Sequence, residues 1–173
     1  MTTADGVLTA WNALREEEAA REILPCCGSL RWAQEMARAR PVANDAQLLE
    51  QSNRIWMALP QTDWEEAFRS HPRIGERKAP AEATEKSAEW SKGEQHGVMS
   101  AQAEILERLA EGNRQYAERF GRVFLVCATG KSAEEMLGIL EQRLKNDEET
   151  ELREAVEQQR QITGIRLRKW LIG

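Results

Sequence analysis

Val123-Phe124-Leu125-Val126-Cys127-Ala128 is the only β-rich apolar run in this chain. One run cannot make a sheet, because a strand needs neighbours to pair its backbone. It therefore reads as a buried extended connector, and its flanks decide the fold class. Upstream, Ser100 caps a long helix carrying Ile105, Leu106, Leu109, Tyr116, Ala117 and Phe120 at helical spacing. Gly121 ends that helix, where glycine best takes the left-handed cap. Downstream, Ser132-Ala133-Glu134-Glu135 has capping-box spacing and starts a helix with Met136, Leu137, Leu140 and Leu144. Asn146-Asp147 breaks it, and a last helix runs from about Glu148 to Trp170.

The N-terminal half follows the same period. Val7, Leu8, Trp11 and Leu14 open a first helix. Ser29 caps a second, with Leu30, Ala33, Met36 and Ala37 inward, stopped before Pro41. Asp45 caps a third carrying Leu48, Leu49, Ser52, Ile55, Trp56 and Leu59 until Pro60. Thr62-Asp63-Trp64-Glu65 begins a short fourth through Phe68. Residues 76–83 read as a polar surface excursion, and helix resumes near Thr84 toward Gly97. No repeat or linker divides the sequence. The expectation is an all-α bundle of about eight helices forming one domain, residues 1–173.

At 173 residues such a domain buries roughly 70% of its unfolded surface and needs no disulfide or metal for stability. The net charge of −5 and the lack of a basic run of five or more argue against nucleic acid or an anionic membrane as partner. No apolar stretch approaches the length of a membrane span, and no signal-peptide pattern opens the chain. Cys26, Cys27 and Cys127 are odd in number, with two adjacent, a poor disulfide framework that suits a reducing compartment such as the cytoplasm.

Phe68-Arg69-Ser70-His71-Pro72-Arg73-Ile74-Gly75 holds one of only two histidines. Pro72 pushes His71 out of helical dihedrals, and Gly75 permits a sharp turn. An imidazole at a helix C-terminus, beside the negative end of the dipole, is suited to donating protons. Equally, it could cap the last carbonyls. In Trp90-Ser91-Lys92-Gly93-Glu94-Gln95, Ser91 lies one helical turn from Glu94 and Gln95. This small polar face suits either a cavity wall or plain solvation, and pattern alone favours solvation. Arg166 falls within the inward stripe of the last helix, with Leu152, Val156, Thr163, Leu167 and Trp170. Arginine there either snorkels to the rim or holds an anion. The connector, Phe124, Leu125, Val126, Cys127 and Ala128, offers either ligand-facing backbone groups or simple core filling. Adjacent Cys26 and Cys27 lack metal or redox spacing, so helix-entry packing accounts for them better. No phosphate cradle, nucleophile elbow or dinucleotide fingerprint is present.

Taken in order, these pieces resemble the 2-oxo-4-hydroxy-4-carboxy-5-ureidoimidazoline (OHCU) decarboxylases of the ureide pathway from urate. The resemblance is carried by Cys26 to Ser29, Trp32, Arg40-Pro41, Asp63 to Phe68, His71 to Gly75 and Ser91 to Gln95. Asn113, Tyr116, Phe120-Gly121, Ser132, Arg143-Leu144, Asn146-Asp147 and Arg166-Leu167 complete it. It implies an all-α fold and cofactor-free release of CO2 from OHCU to give (S)-allantoin. The substrate's ring C=N bond accepts the electron pair for which other decarboxylases use a cofactor. It further implies that His71 is the catalytic acid and that Glu94 orients the substrate hydroxyl or His71. Ser91 and Gln95 would bind the ureido and ring groups, Pro72 and the Phe124–Ala128 backbone would line the pocket, and Arg166 would hold the substrate's polar edge. A homodimer is common in the family. His96 and the stretch Glu76 to Glu85 depart from the family pattern. Two rival readings are a non-catalytic helical interaction module and a hydrolase of a related ureide.

Overall fold

In the computed structural model, which describes residues 3–72, 90 and 103–173, the regular structure is helical, and no strand occurs among the described residues. The helices are α1 (Ala4–Ala13), α2 (Glu16–Ile23), α3 (Leu30–Arg38), α4 (Asp45–Ala58), α5 (Gln61–Arg69), α6 (Ala103–Phe120), α7 (Ala133–Arg143) and α8 (Glu148–Ile172), with a 3-10 turn at Leu24–Cys26. The all-α class is as expected. Of the helix expected between Thr84 and Gly97, only Trp90 is among the described residues, and it is helical, whereas α2 is one the sequence reading passed over. Its Glu-rich opening reads as solvent-facing, yet Ala19, Ala20 and Ile23 are buried.

The chain divides into two compact units, residues 1–67 with 160–173, and residues 68–159. In the first, Trp11, Trp32, Trp56, Met36 and Leu48 are among the fully buried side chains. Each indole finds an outlet for its N–H or a ring partner. Trp11 Nε1 donates to Ala19 O at 2.9 Å, and Trp32 Nε1 donates to Ser52 Oγ at 3.2 Å. Trp11 also meets Trp170 edge-on at 5.7 Å, a favoured aromatic geometry. These rings are core residues of their own unit.

Caps fix where these helices begin. Ser29 Oγ accepts from Trp32 N, as expected, and Glu66 Oε1 accepts from Leu30 N at 2.7 Å. Gly28, at φ 93°, makes the turn into α3. Three local expectations are corrected. Asn44, not Asp45, caps α4, accepting from Gln47 N at 2.9 Å; its extended backbone leaves the side chain free to bend back. Helix α5 starts before Thr62, with Pro60 O accepting from Asp63 N and Trp64 N. Leu30 is 50% exposed, and Trp32 takes the inward place instead.

The second unit packs α6 against α7. Gly112 allows the approach: a Cβ there would lie 2.5 Å from Leu140 Cδ2. Leu109, Tyr116, Phe120, Phe124, Val126, Met136 and Leu140 form its core. Gly121, at φ 69°, ends α6 as expected, and the Phe124–Ala128 connector is buried and carries no regular secondary structure.

Candidate functional site

His71 follows the C-terminus of α5. Its backbone N–H donates to Phe68 O at 3.2 Å, so the main chain itself closes the helix end. The ring is only 4% exposed, and its Nε2 lies 2.7 Å from Oε1 of Gln159. Gln159 stands on α8 with no exposed surface. A glutamine Oε1 can only accept, so the Nε2 of His71 carries a proton in this arrangement. Pro72 beside it is half-buried.

The connector is held by side chains rather than by a sheet ladder. Cys127 N donates to Gln158 Oε1 at 2.7 Å, Cys127 O accepts from Lys131 Nζ at 2.8 Å, and Leu125 O accepts from Arg143 Nη1. These three groups, which the sequence left available to a ligand, thus have protein partners. Arg143 belongs to a buried cluster. Its Nε donates to Glu151 Oε1 at 2.8 Å, Tyr116 Oη donates to the same oxygen at 2.6 Å, and Asn146 Nδ2 donates to Glu151 Oε2 at 3.0 Å. The guanidinium also lies 4.7 Å from the Phe124 ring centre, a cation–π distance. Burial, then the bond to Glu151, pushes the Tyr116 hydroxyl well above its usual range, so it remains a donor.

In the other unit, Arg166 is wholly buried on α8, which rules out snorkelling, and its Nη1 lies 3.4 Å from Pro25 O. Cys27 is buried in the same unit. Burial pushes its thiol up to about 12, against the opposing effects of bonds from Ser29 and Thr163 and of the Arg166 charge. Such a thiol is neither a nucleophile nor a metal ligand near neutral pH, in keeping with the packing role expected of Cys26 and Cys27. None of the three cysteines forms a disulfide.

Ser91, Glu94 and Gln95 lie outside the described residues, as does His96. His71 and the connector fall in the 68–159 unit and Arg166 in the other. Sequence reasoning missed Gln158, Gln159 and Glu151. The available signal was their place on α8: Glu151, Ala155, Gln159, Ile162, Arg166 and Trp170 recur at three- and four-residue spacing and are all buried. A surface groove of about 820 Å³ is lined among others by Glu135, Ile139, Gln142, Arg143, Asn146 and Arg153; it includes Arg143 and Asn146 of the family pattern but none of the candidate catalytic or substrate-binding residues. Among the described residues no group of three His, Cys, Asp or Glu could hold a metal ion.

Comparison with known proteins bears on this arrangement. A structure titled as OHCU decarboxylase in the presence of (S)-allantoin is similar, with 32% identity and a TM-score of 0.76, covering 88% of this chain and 98% of that one. A structure of (S)-allantoin synthase shares the fold, with a TM-score of 0.71 at 18% identity, over 98% of this chain and 54% of that one. An OHCU decarboxylase of Amia calva is 35% identical over 74% of this chain and 73% of its own length. That of Haloferax volcanii is 29% identical over 79% of each. The bifunctional uric acid degradation protein TTL of Arabidopsis thaliana is 32% identical over 83% of this chain, which spans 44% of that relative's length. Residues 12–168 match the sequence pattern of the family described as OHCU decarboxylase. With that match running through α1 to α8, the chain belongs to the OHCU decarboxylase family.

Proposed function

We propose that this chain is a carboxy-lyase that converts OHCU to (S)-allantoin and CO2 in urate breakdown, without a cofactor. Family membership across residues 12–168 carries the reading. The buried His71, held by a buried partner, supports it. In the reaction, the bond to the carboxylate breaks and CO2 leaves without its electron pair. That pair moves toward the ring C=N, giving an enol-like intermediate. His71 then protonates one face, which fixes the S configuration. The protein's part is orientation, charge stabilisation and delivery of one proton. Glu94 serves His71 or the substrate hydroxyl, and Ser91 and Gln95 bind the ureido and ring groups. Arg166 holds the polar edge, while Pro72 and Phe124–Ala128 line the pocket.

We further propose that residues 1–173 act as one catalytic domain, as a homodimer in the cytoplasm. Three buried cysteines outside any disulfide support a reducing compartment. No helix among the described residues is long and apolar enough to cross a membrane. Light scattering tests the dimer. For the reaction, OHCU is generated in situ and headspace CO2 and allantoin chirality are followed. Faster CO2 release with an excess of the S product is expected; racemic product at an unchanged rate overturns the proposal.

A further inference from the structure

We infer that Lys131, with Gln158 and Arg143, sets the shape of the substrate-facing wall: each side chain pins one of three successive peptide planes of the connector. The inference rests on the reading that Phe124–Ala128 line the pocket of the proposed reaction. A peptide unit is planar, so a bond to its carbonyl or to its N–H fixes the orientation of the whole unit. Arg143 Nη1 donates to Leu125 O and so orients the unit joining Leu125 to Val126. Gln158 Oε1 accepts from Cys127 N at 2.7 Å, orienting the unit joining Val126 to Cys127. Lys131 Nζ donates to Cys127 O at 2.8 Å, orienting the unit joining Cys127 to Ala128. Because φ and ψ are the only soft backbone angles, holding all three planes fixes the dihedrals of Val126 and Cys127 between them.

In a sheet these groups would be held by the backbone of a neighbouring strand; here the holders are side chains, each mounted on a separate support. Arg143 stands on α7 and is itself fixed by Glu151, which accepts from its Nε at 2.8 Å. Gln158 stands on α8. Lys131 closes the turn after the connector, its N–H donating to Ala128 O at 3.0 Å, and this brings its ammonium back to Cys127. All of these residues belong to the 68–159 unit. An ammonium bond to a carbonyl is charge-assisted and stronger than a neutral one. A wall held in its bound shape before substrate arrives spares the ordering cost of binding. Lys131 is therefore a positioning residue, acting on the substrate through Cys127 and Ala128. Arg143 is buried in the core, whereas Lys131 is only half-buried, so replacing the lysine spares the packing.

The test pairs steady-state kinetics with backbone NMR of the full chain. Lys131→Met keeps an unbranched aliphatic stem and removes the donor. KM for OHCU should rise roughly 10-fold, more than kcat falls, because a wall that binds substrate and transition state alike acts on KM. Lys131→Arg restores a donor and should return KM most of the way. In the Met variant the ¹⁵N shift of Ala128, the nitrogen of the peptide unit that Lys131 holds, should move while the core amides of α6 keep theirs. A merely structural role would lower the active fraction, and hence the apparent kcat, without touching KM. An unchanged KM in an active Met variant, no recovery with arginine, or an Ala128 signal that does not move overturns the inference alone. Wild-type protein that releases no CO2 from OHCU sinks the decarboxylase reading and this inference with it.

Discussion

Replacing His71 by alanine removes an imidazole that the fold buries against the side-chain oxygen of Gln159. If it is the proton donor, kcat should fall by roughly 100-fold or more, measured as allantoin formed per enzyme under saturating substrate. Near-normal turnover would remove its role. His71 was legible in the sequence because Pro72 dictates a helix exit there and histidine is rare in this chain. Arg166 was legible as a charge on an apolar stripe, although its complete burial was not: residues near a chain end usually reach water. Gln159 was invisible for a different reason. It sits in Gln158-Gln159-Arg160-Gln161, a run whose composition says solvent, and only the packing around α8 decides which of the four turns inward.

Among the elements, α8 carries more buried polar groups than its neighbours, with Glu151, Gln159, Thr163 and Arg166 all enclosed. A polar side chain on the inner stripe weakens the amphipathic pattern, which is why the sequence placed Leu152 inward when Glu151 holds that place. Glu151→Ala leaves the Arg143 guanidinium buried without its carboxylate, a change that costs about 3–5 kcal/mol. Denaturant unfolding should show it as a lower midpoint with an unchanged slope. Gln158→Leu is milder. It orphans the Cys127 N–H and should cost about 1–3 kcal/mol, with hydrogen exchange at that amide rising more than at the core amides of α6. The connector's burial outside any sheet was readable, because its Val, Phe and Leu run has no partner strand. Beside the nearby Lys131, the side chains that hold it come from Arg143 and Gln158, 18 and 31 residues from the groups they bond, and no local pattern announces contacts across such separations.

For the molecule as a whole, alkaline pH is the weak side. Cys27 titrates at about 12 in the folded chain against 9.0 for an ordinary thiol, and Tyr116 is raised as well, both chiefly by burial. Below pH 9 the Cys27 thiol is neutral folded or unfolded and contributes no pH dependence. Above it the unfolded chain ionises first, so stability is lost as pH rises from about 9 toward 12. Melting temperature across that window should fall, and Cys27→Ala should flatten part of the fall; an identical slope in the variant counts against this account. At this scale the all-α class followed from helical spacing and one unpaired apolar run. The division into two units did not, because α5 and α8 each supply residues to both and no change in composition marks the border.

The distribution of indoles has a practical consequence. Of six tryptophans, Trp11, Trp32, Trp56, Trp64 and Trp170 belong to the first unit, and Trp90 alone to the second. Indole emission, excited beyond the tyrosine band, therefore monitors mainly the first unit, and Trp90→Phe makes it do so entirely. Followed beside circular dichroism, which samples every helix, that signal tells whether the two halves melt in a single cooperative step or one ahead of the other.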